Sequence, residues 1–174
     1  MRHEATIFEG IDAKFKYIKE GLDPYPTVIE IHPTDVCYQG CEYCFHGGNG
    51  FGKDRNPSKY LALPQYLLLL DEFAKLGIKN LSISGGGEPL LSKDVTGIVS
   101  AALDRGFSVR LVTNGNMMTD EAISLLVRCS EVRFSIDAAE AATYAKIRNV
   151  PGTLFGRTLT NVKKLVDKRA SSGS

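Results

Sequence analysis

Within "HPTDVCYQGCEYCFHGG", residues 32–48, stand three of the chain's four cysteines, Cys37, Cys41 and Cys44. Their C-x3-C-x2-C spacing gathers three thiols in one glycine-rich loop, with no fourth cysteine near them. A structural zinc site normally closes its sphere with four protein ligands. Three ligands suit a different chemistry. A [4Fe–4S] cube has four irons, each needing one external ligand, and cysteine thiolate is the usual donor. Three thiolates leave one iron open to a small molecule, much as catalytic zinc keeps one position free. Gly40, Gly47 and Gly48 leave room for the wrap such a loop needs.

Zinc is the main rival, yet structural zinc favours two C-x2-C arms and only one exists here. His46 lies two residues past Cys44, too close for easy tetrahedral geometry. A redox pair of Cys41 and Cys44 leaves Cys37 unexplained. Cys129 ends an apolar stretch and reads as a small buried hydrophobe.

The elements that must position this loop alternate. "TVIEIH" (27–32), "NLSIS" (80–84), "FSVRLVT" (107–113) and "EVRFSID" (131–137) read as strands. Between and after them, 63–77, 92–106, 119–129 and 153–169 read as helices. Ser92 and Thr119 offer caps, and Gly77 and Gly106 offer stops. Residues 1–26 read as a helix around 10–21 and a link with Pro24 and Pro26, 27–169 as the core, and 170–174 as a flexible tail.

Such alternation makes right-handed βαβ units and a parallel sheet, about four units in this chain. An open doubly wound sheet and an arc of a (β/α) barrel both place ligands at the carboxyl ends of the strands. Those ends carry the cysteine loop, "GGGEP" (85–89), "NGN" (114–116) and Ser135–Asp137. Leu81, Ile83, Val109, Leu111, Val132, Phe134 and Ile136 share one apolar strand face. The other parity carries Glu30, His32, Ser82, Ser84, Arg110, Asn114, Arg133, Ser135 and Asp137, which suits a barrel interior holding a polar substrate, the alternative being that a few of them simply sit at exposed strand ends.

With 21 basic against 20 acidic residues, the net charge of +1 gives no electrostatic grip on nucleic acid or on an anionic membrane. No apolar run approaches the roughly 20 residues that span a bilayer. "MRHEATIFEG" lacks the shape of a signal peptide. The expected location is the cytoplasm, where thiols stay reduced, and that strengthens a metal reading over a disulfide one.

"CYQGCEYC" after a first strand resembles the cluster loop of the radical S-adenosylmethionine (radical SAM) superfamily, down to Tyr43 before the last cysteine. "SGGGEP" resembles that family's glycine–glycine–glutamate motif. "LVTNG", "VRFSIDA" and "TYAKIRN" also look typical, so the similarity spans about residues 27 to 165. The resemblance implies a partial (β/α) barrel of the radical SAM type and two cofactors, a [4Fe–4S] cluster and S-adenosyl-L-methionine. It implies Cys37, Cys41 and Cys44 as cluster ligands. Gly86, Gly87 and Glu88 would line the methionine moiety, with Glu88 accepting from its ammonium. Tyr43 would contact the adenine, and Ser135 and Asp137 the ribose, with Asn114 nearby. Arg148 would either meet the methionine carboxylate or be a plain helix surface charge.

The activity implied is reductive cleavage of S-adenosylmethionine to a 5′-deoxyadenosyl radical, which takes hydrogen from a small-molecule or peptide substrate. An electron donor such as flavodoxin or ferredoxin would serve it. "CEYCFH" is similar to a branch acting on a nucleotide. "GGGEP" with "SIDA" looks more like members acting on peptides, sugars or natural-product intermediates, which is the lead. His46, Arg110 and Arg133 would face substrate or be structural. The family's core usually has six units, so the chain reads as a piece of a longer protein, or as a short member closed by a partner or by a second copy in a homodimer. From another class, a non-catalytic iron–sulfur electron carrier or zinc-binding interaction module is the alternative.

Overall fold

A computed structural model describes residues 15, 16, 18–21, 25–46 and 60–172. The expectations placed on Pro24, Gly47 and Gly48 lie outside the described residues. Of the helix expected around 10–21, Phe15, Lys16, Ile18 and Lys19 are described and helical.

Four strands alternate with helices. They are β1 (Val28–Ile31), α1 (Leu63–Lys75), β2 (Asn80–Ile83), α2 (Val95–Asp104), β3 (Ser108–Thr113), α3 (Asp120–Leu126), β4 (Glu131–Phe134), α4 (Ala141–Arg148) and α5 (Thr153–Ser171). Local chemistry sets several ends. The Gln65 side chain takes the Ala62 amide at 2.8 Å to open α1, and Thr119 Oγ1 takes the Ala122 amide at 3.1 Å to open α3. Gly77 and Gly106, with φ of +75° and +79°, lie just past the ends of α1 and α2.

Several boundaries differ from expectation. α2 begins at Val95, because a 3₁₀ turn over Pro89–Leu91 comes first, with the Glu88 side chain accepting from the Leu90 amide. Ser92 caps a turn, not the helix, by accepting from the Asp94 amide at 3.4 Å. α5 runs on to Ser171, into residues expected to be tail. The strand–helix reading placed no helix at α4, whose buried residues are Tyr144 and Arg148, with no apolar stripe to announce it.

All strand pairs are parallel, and the order is β1-β2-β3-β4. A doubly wound sheet reverses its strand order at a switch point. Here the order never reverses, so every crossover runs the same way and the helices collect on one face. That is an arc of a (β/α) barrel, left open. Leu81, Ile83, Val109 and Leu111 are fully buried against Tyr66, Leu70, Ile98, Val99, Ala102, Ile123, Leu126 and Leu165 of the helices. The opposite face is polar, as its parity requires. Ser82 Oγ donates to Glu30 at 3.3 Å, Glu30 pairs with His32 at 2.8 Å, and Arg110 and Arg133 both reach Glu131.

Candidate functional site

The segment leaving β1 is sewn to the end of β2. The Ser84 amide donates to the Ile31 carbonyl at 3.1 Å, Gly87 to Thr34 at 3.1 Å and Glu88 to Val36 at 2.9 Å. Six residues later the same segment reaches the far side of the sheet. Gly40 donates to the Arg148 carbonyl at 3.1 Å and Glu42 to the Ile147 carbonyl at 3.3 Å. These are carbonyls of the last turn of α4, which the helix itself cannot satisfy. The cysteine loop therefore bridges the mouth of the sheet from β2 to α4. Cys41 is 6% exposed, and Cys37 and Cys44 are half-buried beside it.

The glycines of "GGGEP" are required by this crossing. A side chain on Gly87 would overlap the Val36 carbonyl, and one on Gly86 would overlap the Asp35 carboxylate. Chain against chain is one reason for these glycines, whatever else approaches them. Glu88 is 3% exposed and accepts three bonds, from Thr113 Oγ1 at 2.6 Å, the Asn114 amide at 2.7 Å and the Leu90 amide at 3.1 Å. Burial pushes its carboxyl above the ordinary value, against the lowering effect of those donors.

Arg148 is buried, so the surface-charge reading does not hold. Its Nη1 donates to Gln39 Oε1 at 3.0 Å and lies 3.8 Å from Cys41 Sγ, and its Nη2 pairs with Asp137 Oδ2. Its Nε is buried with no hydrogen-bond partner. The guanidinium carbon lies over the ring of Tyr43 and over that of Tyr144, 5.7 Å from each centroid. Asp137 has a left-handed backbone (φ +54°) and also takes the Tyr43 hydroxyl at 2.5 Å. Asn114 Oδ1 accepts from the Tyr38 hydroxyl and the Asn116 amide, both at 3.0 Å.

One cleft of about 350 Å³ collects these groups at the carboxyl ends of the strands. Every residue that the family resemblance assigns to the cluster or the cofactor lines it: the three cysteines and Tyr43, then Gly86, Gly87 and Glu88, then Asn114, Ser135, Asp137 and Arg148. His46, Arg110 and Arg133 are not among its lining. Gln39 and Thr113 line it without having been singled out. Gln39 is the hub of a buried polar network, donating to Asn116 Oδ1 at 3.3 Å and the Tyr144 hydroxyl at 3.2 Å. Asn116 in turn bonds Thr158, which donates to the Asn114 carbonyl at 3.2 Å. A glutamine between two cysteines carries no periodic signal that separates a hub from a loop residue. Cys129 is buried in the core, and burial pushes its thiol up to about 12.

The donor set fits an iron–sulfur cube. Among the described residues no three His, Cys, Asp or Glu side chains gather tightly enough for a single metal ion. Cys37, Cys41 and Cys44 line one cleft, and three thiols are the donors for a cube that takes one thiolate per corner and keeps one corner open. The buried Arg148 cation beside Cys41 complements thiolate charge.

A model of the "Radical SAM superfamily" matches residues 31–172. The AdoMet-dependent heme synthase of Methanosarcina barkeri is 34% identical over 142 residues, 80% of this chain and 39% of that protein. A probable GTP 3',8-cyclase of Methanocaldococcus jannaschii is 31% identical over 144 residues, covering 80% and 45%. The chain thus spans less than half the length of these curated relatives. Among solved structures, Streptococcus suis SuiB bound to S-adenosylmethionine superposes with a TM-score of 0.70 at 18% identity, over 90% of this chain and 35% of that one. BtrN in complex with AdoMet and 2-DOIA gives 0.59 at 18% identity, over 78% and 56%. The structural likenesses carry the fold.

Proposed function

The chain belongs to the radical S-adenosylmethionine superfamily, and from that membership we propose that Cys37, Cys41 and Cys44 hold a [4Fe–4S] cluster whose fourth iron receives S-adenosylmethionine. When bound, these cofactors supply one-electron cleavage of the sulfonium and abstraction of hydrogen from a substrate. The observation that carries the reading is the convergence of three thiols, a buried carboxylate and a buried guanidinium on one cleft at the strand ends.

The chain's own groups take the following parts. Glu88 Oε2 holds one backbone bond and keeps a lone pair with which to accept from the methionine ammonium. Arg148 Nε, without a protein partner, is the donor for the methionine carboxylate. Asp137 keeps Oδ1 for a ribose hydroxyl, with Ser135 beside it on the same rim. The polar sheet face of Glu30, Ser82 and Arg110 suits a hydrogen-bonding substrate, either a peptide, a sugar or a natural-product intermediate. The cyclase relatives keep a nucleotide as the alternative. A low-potential donor of the flavodoxin or ferredoxin kind and the reducing cytoplasm complete the proposal.

Anaerobic reconstitution tests it. The expected result is four irons per chain and an electron paramagnetic resonance signal that shifts on adding S-adenosylmethionine. An intact cluster with no shift would instead make the chain an electron carrier, and one bound zinc would make it a structural module.

A further inference from the structure

Resting on the cofactor reading above, we infer that Arg148 sets the reduction potential of the cluster, holding it higher than the three thiolates alone would. The guanidinium Nη1 lies 3.8 Å from Cys41 Sγ, within reach of an N–H···S hydrogen bond. The side chain is 4% exposed, so little water screens its permanent charge. Its partner Asp137 is 49% exposed and shares the same carboxylate oxygen with the Tyr43 hydroxyl. One half-solvated anion leaves much of the cation's field directed at the buried thiol.

Hydrogen bonds to the sulfurs and net local charge are among the main levers on a cluster's potential. Reduction adds one electron and one negative charge to the cluster. A fixed cation beside Cys41 stabilises the reduced state more than the oxidised one. Position is fixed from both ends of the residue. The Arg148 carbonyl accepts the Gly40 amide, and Gln39 Oε1 holds Nη1. The Arg148 Cζ also lies over the Tyr43 ring and over the Tyr144 ring, 5.7 Å from each centroid, two cation–π contacts that hold it in place. Arg148 is thus a positioning residue for charge. Its Nε remains for other duties, and a readout without S-adenosylmethionine separates the two.

The test is a potentiometric titration of the reconstituted full chain, without S-adenosylmethionine, followed by electron paramagnetic resonance. Titanium(III) citrate supplies the single electron and is oxidised to titanium(IV). Arg148→Gln is expected to make reduction at least tenfold less favourable, a downward shift of about 59 mV for a one-electron couple. Arg148→Lys, which keeps the charge but loses the fork, should fall between it and the parent. Asp137→Asn removes the opposing anion and should move the potential upward. A residue that merely props up the fold gives no such pair of opposite signs. Potentials for Gln and Asn variants within threefold of the parent in equilibrium constant, or displaced in the same direction, overturn the inference. Should Arg148→Gln take up no cluster, Asp137→Asn decides, an upward shift supporting the inference and none overturning it. A parent chain that binds no four-iron cluster defeats the cofactor reading itself, and the iron count reports that separately.

Discussion

Glu88 accepts the backbone amide of Asn114 at 2.7 Å, tying the loop after β2 to the end of β3. Its other oxygen takes the Thr113 hydroxyl and the Leu90 amide, so one carboxylate organises three donors around the cleft. Removing it orphans all three.

Glu88→Ala should destabilise the chain by about 2–4 kcal/mol, from buried donors left without an acceptor. It should also weaken S-adenosylmethionine binding while the iron content stays at the parent level. Urea unfolding and a cofactor titration of the reconstituted protein check the two parts. Loss of iron in step with the cofactor would place Glu88 in the cluster's support instead.

The same carboxyl gives a pH signature. Burial raises its folded value above the ordinary 4.5, so its stabilising contribution is full below 4.5 and is lost as pH rises through the folded value. Glu88→Gln does not titrate. The stability of the parent relative to Glu88→Gln should therefore be greater near about pH 4 than near about pH 8. Glu30 acts in the opposite sense, since its bond to His32 holds it below the ordinary value, but it is common to both proteins and cancels. A flat difference in urea unfolding of the cluster-free chain refutes the burial argument.

Two glycines separate a collision with backbone from one with a side chain. Gly87→Ala drives a methyl into the Val36 carbonyl, which should displace the cysteine loop, lower stability by about 1–3 kcal/mol and reduce iron uptake. Gly97→Ala meets only the Leu63 side chain, at 2.9 Å, and sits within α2, where alanine is the better helix former. Its effect should stay within about 1 kcal/mol either way. Thermal melts and iron assays on both variants make the comparison.

Thr158 tests the network behind the site. Thr158→Val deprives the Asn116 side-chain amide and the Asn114 carbonyl of a partner, for a loss of about 1–3 kcal/mol. Thr158→Ser keeps the hydroxyl and loses one methyl, so it should cost only about 1 kcal/mol. Equal losses in calorimetry would mean that packing, not hydrogen bonding, holds α5 to the site.

The cysteines divide by environment. Alanine at Cys37, Cys41 or Cys44 should abolish assembly of the four-iron cluster, whereas Cys129→Ala should retain four irons per chain. Cys129 sits in the core and is not among the residues lining the cleft. Iron and sulfide analysis after anaerobic reconstitution reads both outcomes.

The strands and the groups at their carboxyl ends were legible because each rests on local chemistry: β-branched runs, then a glycine, carboxylate or thiol at the turn. Parity marked the apolar face, since Leu81, Ile83, Val109 and Leu111 alternate with polar residues. α4 was not legible, because it buries only Tyr144 and Arg148 and shows no repeat. The roles of Gln39, Asn116 and Thr158 were equally hidden. Their bonds join residues as much as 109 positions apart, and no local pattern encodes such a meeting.

The bridge from the cysteine loop to α4 has a consequence for biogenesis. Gln39 and Arg148 are separated by 109 positions, so at synthesis rates of about 5–20 residues per second the thiols leave the ribosome roughly 5–20 s before their anchor exists. Until then, native backbone bonds can hold the segment only on its β2 side. Delivery of the proposed cluster to these thiols would then come late in the life of the nascent polypeptide, gated by emergence of the segment that carries Ile147 and Arg148.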